Sequence, residues 1–311
     1  MKRRNIGVIL ASAACVGLFV SPAHASEVNH LETINNVAPD VIQNLDTRSR
    51  IALPADTAGQ IQLTNSRSLN GFAIGLPDGT QVGVMEIETS GTRFYNNNDG
   101  SITVPIPQLG GGIAINTIIN SSDAPTSYKY DLTYPSDAVV TQVEDGGIII
   151  SSSSGDLISI IANPWAKDAN GTDVPTRFII SEGILTQEVD HTSGEFTYPI
   201  VADPYAGKSL HGSTSWLGSG SSRKASLTPT AQMMVAWQAG QAYNYGWPEA
   251  RSKMGIELSQ ELYRQQYKCH ADNTPLVAAG GVLGLGYTWD LEYFRGTNSN
   301  YLNVWSHHCN W

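Results

Sequence analysis

Short apolar runs separated by turn-forming residues fill the middle of this chain, and they constrain its fold more than any other feature. The runs are rich in Ile, Val, Thr and Tyr, as at 113–119 and 157–161, and turn phrases such as Asn98-Asp99-Gly100 stand between them. Such phrases supply the positive φ or the side-chain hydrogen bond that a tight hairpin needs. Short strands at regular spacing predict an antiparallel, sandwich-like all-β module over residues 58–205.

The sequence on either side of this module has a different pattern. Residues 206–227 are rich in Ser and Gly, which is typical of either a linker or a hairpin. A helix start at Thr228-Pro229 and an amphipathic pattern running into Cys269 predict a small α-rich module over 228–311. Residues 26–57 have a loosely helical pattern and predict a helical or mobile arm. The predicted fold class is therefore α+β, with two modules.

Residues 1–25 have the three parts of a secretory signal peptide. Lys2-Arg3-Arg4 forms a charged start, an uncharged apolar stretch follows, and Ala23-His24-Ala25 offers small residues for cleavage after Ala25. The apolar stretch is shorter than the ~20 residues that a spanning helix needs. We therefore expect a secreted, extracellular chain without a transmembrane anchor after processing, from which Cys15 has been removed.

Charge is unevenly distributed. The whole chain has 18 basic and 28 acidic residues, a net charge of −10, and removal of the three basic residues of the signal peptide leaves −13. Residues 26–205 hold 22 acidic and 7 basic residues, whereas residues 206–311 hold 6 and 8. Because an acidic surface repels polyanions, nucleic acid is excluded as an expected partner.

Two cysteines remain after cleavage, Cys269 and Cys309. Outside the cell they most simply pair, and a bridge closing a loop of about 40 residues would stabilise the fold by about 3–4 kcal/mol. The alternative is a metal or catalytic thiol, because His270 and His308 stand beside them. Zinc-thiolate sites favour closely spaced cysteines. The pattern therefore favours a disulfide, with no metal and no cofactor.

Several phrases resemble parts of secreted actinobacterial proteins. One set runs from Trp165-Ala166-Lys167-Asp168-Ala169-Asn170-Gly171 to Tyr198-Pro199-Ile200-Val201-Ala202-Asp203-Pro204, and it resembles a β module that ends in a Tyr-Pro-Val-Val-Ala-Asp-Pro-like phrase. The other set is Cys269-His270, Trp289-Asp290-Leu291-Glu292, Arg295 and Cys309-Asn310, which is similar to a C-terminal domain of unknown function, the 2599 family. Tyr293-Phe294 and Gly296 depart from that pattern. The resemblance implies relatives but no assigned activity.

Histidines and carboxylates near the predicted bridge are the main candidates for chemistry. His270, Asp290, Glu292 and His308 could form an acid/base pair or a His/carboxylate metal site if the bridge brings them together. No spacing forces them together, and Glu292 with Arg295 would form an ordinary ion pair. The residues therefore favour polar flanks of a structural bridge over an active site.

Two weaker signals have structural explanations. Asp190-His191-Thr192-Ser193 contains the residue types of a catalytic triad, but neighbours on an extended chain point in opposite directions, so the phrase indicates a turn. The glycine-rich stretch 280–286 lacks the Lys-Ser/Thr of a phosphate loop, and the chain has no Gly-x-Ser-x-Gly elbow or dinucleotide fingerprint.

Aromatic residues are the remaining signal for binding. Six of the seven tryptophans lie at position 216 or later. Aromatic faces stack on sugars and anchor protein interfaces, so Trp247, Trp289 and Arg295 are candidate binding residues. Among the aromatic residues of the C-terminal module, we expect those at 243–247 and Trp311 to be exposed.

These observations favour a secreted, non-catalytic protein that binds or interacts at the cell envelope. Its expected partner is an envelope glycan or another secreted or surface protein. The alternatives are an antibacterial effector, or a small hydrolase that uses His and carboxylate residues of the C-terminal module.

Overall fold

A computed structural model describes residues 29–63, 71–77, 82–275, 288–309 and 311. Antiparallel sheets dominate these residues, and a few helices near the C-terminus accompany them. The predicted class, a β module followed by a small α-containing module, is therefore confirmed. The signal peptide and the glycine-rich stretch 280–286 lie outside the described residues.

The described elements are eighteen strands, six α-helices and a few single 3₁₀ turns. The strands β1–β18 are Gln60–Leu63, Phe72–Gly75, Met85–Ile87, Arg93–Asn96, Ser101–Gln108, Gly112–Ile119, Ser127–Thr133, Val139–Gln142, Ile148–Ser151, Leu157–Ile161, Ala166–Lys167, Thr176–Ser181, Ile184–Val189, Ile200–Ala202, Tyr205–Gly207, His211–Leu217, Lys224–Pro229 and Trp289–Glu292. The helices α1–α6 are His30–Val37, Pro39–Gln43, Ala231–Gln238, Ala242–Met254, Glu261–Asp272 and Val304–His307.

A five-stranded sheet in the order β1-β2-β7-β13-β12 forms one layer of the sandwich. Its central strand β7 alternates strictly, with Tyr128, Tyr130 and Leu132 buried and the residues between them exposed. Such alternation is typical of an antiparallel sheet with one face on the core and one face in water. The sheet therefore closes one side of the core.

The second layer is a ten-stranded sheet whose central strand β6 is covered on both faces. Its main order is β3-β4-β5-β6-β15-β10-β9-β8, and β14 pairs with β6 and β11. Strand β6 is buried at every position. Ile113 and Ile115 belong to the sandwich core, whereas Ile118 belongs to a separate cluster on the other face. A strand buried on both faces needs apolar residues at successive positions, which explains the continuous run in the sequence.

The N-terminal helices cover part of that other face. Ile34 and Val37 of α1 are buried in one cluster with Val104 and Ile118 of the large sheet. His30 adds a contact of its Nδ1, 2.5 Å from Glu88 Oε1. The sequence predicts an arm that is either helical or mobile. In the structure it contains the helices α1 and α2, which pack on the large sheet.

The C-terminal module packs on the remaining part of the same face. Its three-stranded sheet β16-β17-β18 and its helices share a core with Ile149 of β9 and with Leu157 and Ile160 of β10. The Ser- and Gly-rich segment 206–227 contains β16, which forms a hairpin with β17. Because β15 continues into this hairpin, the segment connects the two modules through strands.

The helix starts in this module differ in part from the sequence pattern. The helix predicted to begin at Thr228-Pro229 begins at Ala231, because Pro229 ends β17. Pro248 lies inside α4, and its side chain is exposed to solvent.

The predicted disulfide is present. Cys269 and Cys309 are joined with a Cα–Cα distance of 5.6 Å, and both residues are fully buried. The bridge ties helix α5 to the last residues of the chain, so it fixes the position of the C-terminal segment against the module. Among the described residues, no helix has the length and apolar character needed to cross a membrane.

Candidate functional site

His270 is buried in the core of the C-terminal module. Its ring lies parallel to the indole of Trp289, with ring centroids 5.4 Å apart and an interplanar angle of 14°. Neither ring nitrogen has a hydrogen-bond partner among the described residues. Burial lowers the pKa of His270 to about 4, so the ring is neutral at pH 7. In this setting the imidazole acts as a packed aromatic ring.

The two candidate carboxylates are each held by a neighbouring cation. Asp290 on β18 accepts hydrogen bonds from Lys224 Nζ and from Ser226 Oγ of the adjacent strand β17. Burial by itself raises the pKa of Asp290, but these two bonds outweigh it and hold the pKa below its usual value. Glu292 forms an ion pair with Arg295. Both carboxylates therefore have structural partners.

The histidines next to Cys309 lie apart from this group. His307 Nε2 is 3.2 Å from the carbonyl oxygen of Asn300, and its ring meets the edge of Trp311 at 5.1 Å. His308 is exposed and adopts the left-handed conformation, with φ 49°. No hydrogen bond or ion pair within the described ranges joins His270, Glu292 and His308. That part of the chain also holds no group of three His, Cys, Asp or Glu side chains suited to a metal ion.

The triad-like phrase of the β module is structural. His191 is buried, with Nδ1 2.9 Å from the hydroxyl of Tyr198 and Nε2 3.1 Å from the carbonyl oxygen of Pro125. Asp190 instead accepts a bond from Ser193 Oγ at 2.6 Å. Asp190 and His191 thus have separate partners, as expected of a turn.

The expectation that residues 243–247 are exposed is wrong for Trp247. Trp247 and Trp289 are buried, and both pack on Tyr267, at 5.2 and 5.5 Å between ring centroids. Tyr243 stacks on Trp247, because positions four apart share one face of helix α4. Both candidate tryptophans are therefore core residues, and Trp311 is only partly exposed.

Large apolar side chains are exposed instead in the last part of the chain, residues 293–309 with Trp311, which we name the closing segment. Trp305 is 75% exposed, Phe294 60% and Leu302 54%. Single exposed apolar residues are ordinary on a protein surface, but large aromatic residues are mostly buried. The segment exposes the large apolar side chains of Phe294, Leu302 and Trp305 within twelve positions. This density of exposed apolar side chains distinguishes the segment from the rest of the module.

The closing segment is held in a defined position. Arg295 Nη1 donates to the carbonyl oxygen of Trp311 at 2.7 Å, and Asn298 N–H donates to Gln265 Oε1 at 2.8 Å. The guanidinium of Arg264 lies over the ring of Tyr301, 5.9 Å from its centroid. The disulfide at Cys309 adds a covalent restraint. Arg295, a predicted binding residue, thus anchors the C-terminus.

A second polar cluster, which no sequence spacing indicates, lies between β16 and helices α4 and α5. Lys253 Nζ is 2.6 Å from Glu249 Oε1, and Glu249 also accepts from Ser209 Oγ and lies 3.6 Å from His211 Nδ1. Burial raises the pKa of Glu249, but His211 and Lys253 outweigh it and hold the pKa at about 2. His211 Nε2 meets the Tyr267 hydroxyl at 3.0 Å. The cluster pairs the Glu249 carboxylate with Lys253, whereas His211 Nδ1 has no hydrogen-bond partner among the described residues.

Comparison of the chain with protein-family models, with curated proteins and with solved structures finds no match. The resemblance to secreted actinobacterial proteins therefore stays a prediction. Function has to be inferred from the side chains themselves. Val82, Val84 and Ile87 are also exposed, but among the described residues exposed aromatic side chains occur only in the closing segment.

Proposed function

We propose that this chain is a secreted, non-catalytic binding protein of the cell envelope, and that the closing segment is its binding surface. The observation that supports the proposal is the exposure of Phe294, Leu302 and Trp305 on a segment that a disulfide, an Arg295 bond and a Gln265 bond hold in place. Binding hot spots are enriched in aromatic residues, and a preorganised surface loses less entropy on binding.

The residues first considered for catalysis support this choice. His270 has no hydrogen-bond partner among the described residues, and the carboxylates of Asp290 and Glu292 are bound to Lys224 and Arg295. A general acid or base needs a proton path to a substrate. The signal-peptide pattern supports the extracellular location, because it directs a chain across the membrane.

The test is binding of the full mature chain, starting at residue 26, to envelope preparations in a sedimentation assay. We expect saturable binding that falls at least tenfold in Trp305→Ala and in Phe294→Ala. Ile256→Ala is the matched control, because Ile256 is 79% exposed in the same module but lies outside the closing segment. Its affinity should equal that of the wild type.

Circular dichroism should show all three variants folded, because the replaced side chains contribute little buried area. The proposal is wrong if the wild type does not bind, or if Trp305→Ala and Phe294→Ala bind as tightly as Ile256→Ala.

A further inference from the structure

The middle of the closing segment carries no charge. Residues 296–306 contain no Asp, Glu, Lys, Arg or His. Their exposed polar side chains are amides and hydroxyls, including those of Asn300, Asn303 and Ser306, and they alternate with Leu302 and Trp305. Ser306 Oγ donates to the carbonyl oxygen of Asn303, but no hydrogen bond to the side-chain amide of Asn300 or Asn303 occurs in the described part of the chain. Their side-chain donors and acceptors are thus available within five positions of Trp305 along the chain.

The guanidinium groups of Arg264 and Arg295, which contact residues of the closing segment, are already paired. Arg295 bonds to Glu292 and to the Trp311 carbonyl, and Arg264 pairs with Glu261 at 2.6 Å. A phosphate or carboxylate ligand needs a cation or several oriented N–H groups. An anionic membrane attracts unpaired Lys and Arg, and residues 296–306 contain neither. These charges favour a neutral ligand.

The combination of aromatic faces with amides and hydroxyls fits the chemistry of a sugar. The C–H groups on one side of a sugar ring carry a slight positive charge and pack on the negative face of an indole or phenyl ring. Sugar hydroxyls both donate and accept, as an amide does. A protein partner fits less well, since a standard interface uses about 20–30 residues per side, and the closing segment exposes ten.

We propose that the closing segment binds a neutral polysaccharide of the cell envelope, with Trp305 as the main stacking residue. This inference rests on the proposed function, because it names the ligand of the same surface. Asn300 and Asn303 then supply hydrogen bonds to the hydroxyls of the bound chain.

The test uses the mature chain on immobilised neutral glucan, galactan and mannan, on acidic polygalacturonate, and on vesicles of phosphatidylcholine with phosphatidylglycerol. We expect retention on at least one neutral polysaccharide that added salt leaves unchanged. Trp305→Ala should weaken it at least tenfold, Trp305→Phe should recover part of the loss, and Ile256→Ala should behave as the wild type. Preference for polygalacturonate or for the vesicles overturns the inference.

Envelope treatments separate this inference from the proposed function. Periodate oxidises vicinal diols and breaks the carbon–carbon bond between their two hydroxyl-bearing carbons, which opens sugar rings. Treatment of the envelope with periodate should therefore abolish binding, whereas protease treatment should leave it intact. Binding that survives periodate but not protease indicates a protein partner; it overturns the glycan inference and leaves the proposed function standing. Absence of binding to untreated envelope overturns both.

Discussion

Replacement of His270 by Phe should make the protein less sensitive to acid. His270 is 5% exposed, stacks on Trp289, and has two ring nitrogens without hydrogen-bond partners among the described residues. Phe keeps an aromatic ring in the stack and removes both buried nitrogens. Because an unpaired buried polar atom costs about 1–3 kcal/mol, we expect the variant to be at least as stable as the wild type at pH 7.

The size of the acid effect follows from the pKa of His270. Burial lowers that pKa from its ordinary value of 6.5 to about 4. Above pH 6.5 the imidazole is neutral in the folded and unfolded chains alike. As the pH falls from 6.5 to 4, only the unfolded chain takes up this proton, so the free energy of unfolding falls by about 1.4 kcal/mol per pH unit. Between pH 6.5 and pH 4 the free energy of unfolding of the wild type therefore falls by about 3 kcal/mol through this proton, and that of His270→Phe does not.

The assay is urea unfolding of both proteins near pH 7 and pH 4, followed by tryptophan fluorescence and circular dichroism. The quantity compared is the free energy of unfolding of the variant minus that of the wild type. The contributions of the other titrating groups cancel in this difference, which should grow by about 3 kcal/mol on acidification. His308→Asn is the matched control, since His308 is exposed beside the same disulfide and Asn tolerates its left-handed backbone. An unchanged difference at the two pH values would refute the assignment of His270 as a neutral core residue.

Two further predictions concern a buried carboxyl group of the β module and the disulfide that restrains the closing segment. Burial raises the pKa of Asp203 to about 8. Between pH 4 and pH 8 the folded chain therefore keeps a proton that the unfolded chain has lost. Because of this proton, the free energy of unfolding falls as the pH rises. Asp203→Asn removes this pH dependence. In urea unfolding, its free energy of unfolding relative to the wild type should increase by about 4 kcal/mol between pH 4 and pH 7. The same difference at both pH values would contradict a buried neutral carboxyl group. The double variant Cys269→Ser, Cys309→Ser should lose about 3–4 kcal/mol of stability and also bind envelope more weakly, because the closing segment loses its covalent restraint; unchanged thermal unfolding contradicts this.

The β architecture was accessible from sequence because its determinants are local. Turn phrases such as Asn98-Asp99-Gly100 and the continuous apolar run of β6 are each a property of a few neighbouring residues. The pairing of Cys269 with Cys309 was also accessible, because the predicted cleavage leaves only these two cysteines and the predicted extracellular location favours a disulfide. An amphipathic helix ending near Cys269 followed in the same way from local periodicity.

Tertiary packing decided which aromatic and ionisable residues are free to act. Sequence marks Trp247 and Trp305 alike as aromatic residues of one small module, yet packing buries the first against Tyr267 and leaves the second 75% exposed. The state of His270 was equally hidden, since its lowered pKa arises from burial beneath residues distant in the chain. Burial and charge pairing depend on long-range contacts, such as that between Ser209 and Glu249, and local sequence patterns do not encode them. The fold class was therefore legible in the sequence, whereas the exposure of Trp305, on which the proposed binding surface rests, followed only from the packing.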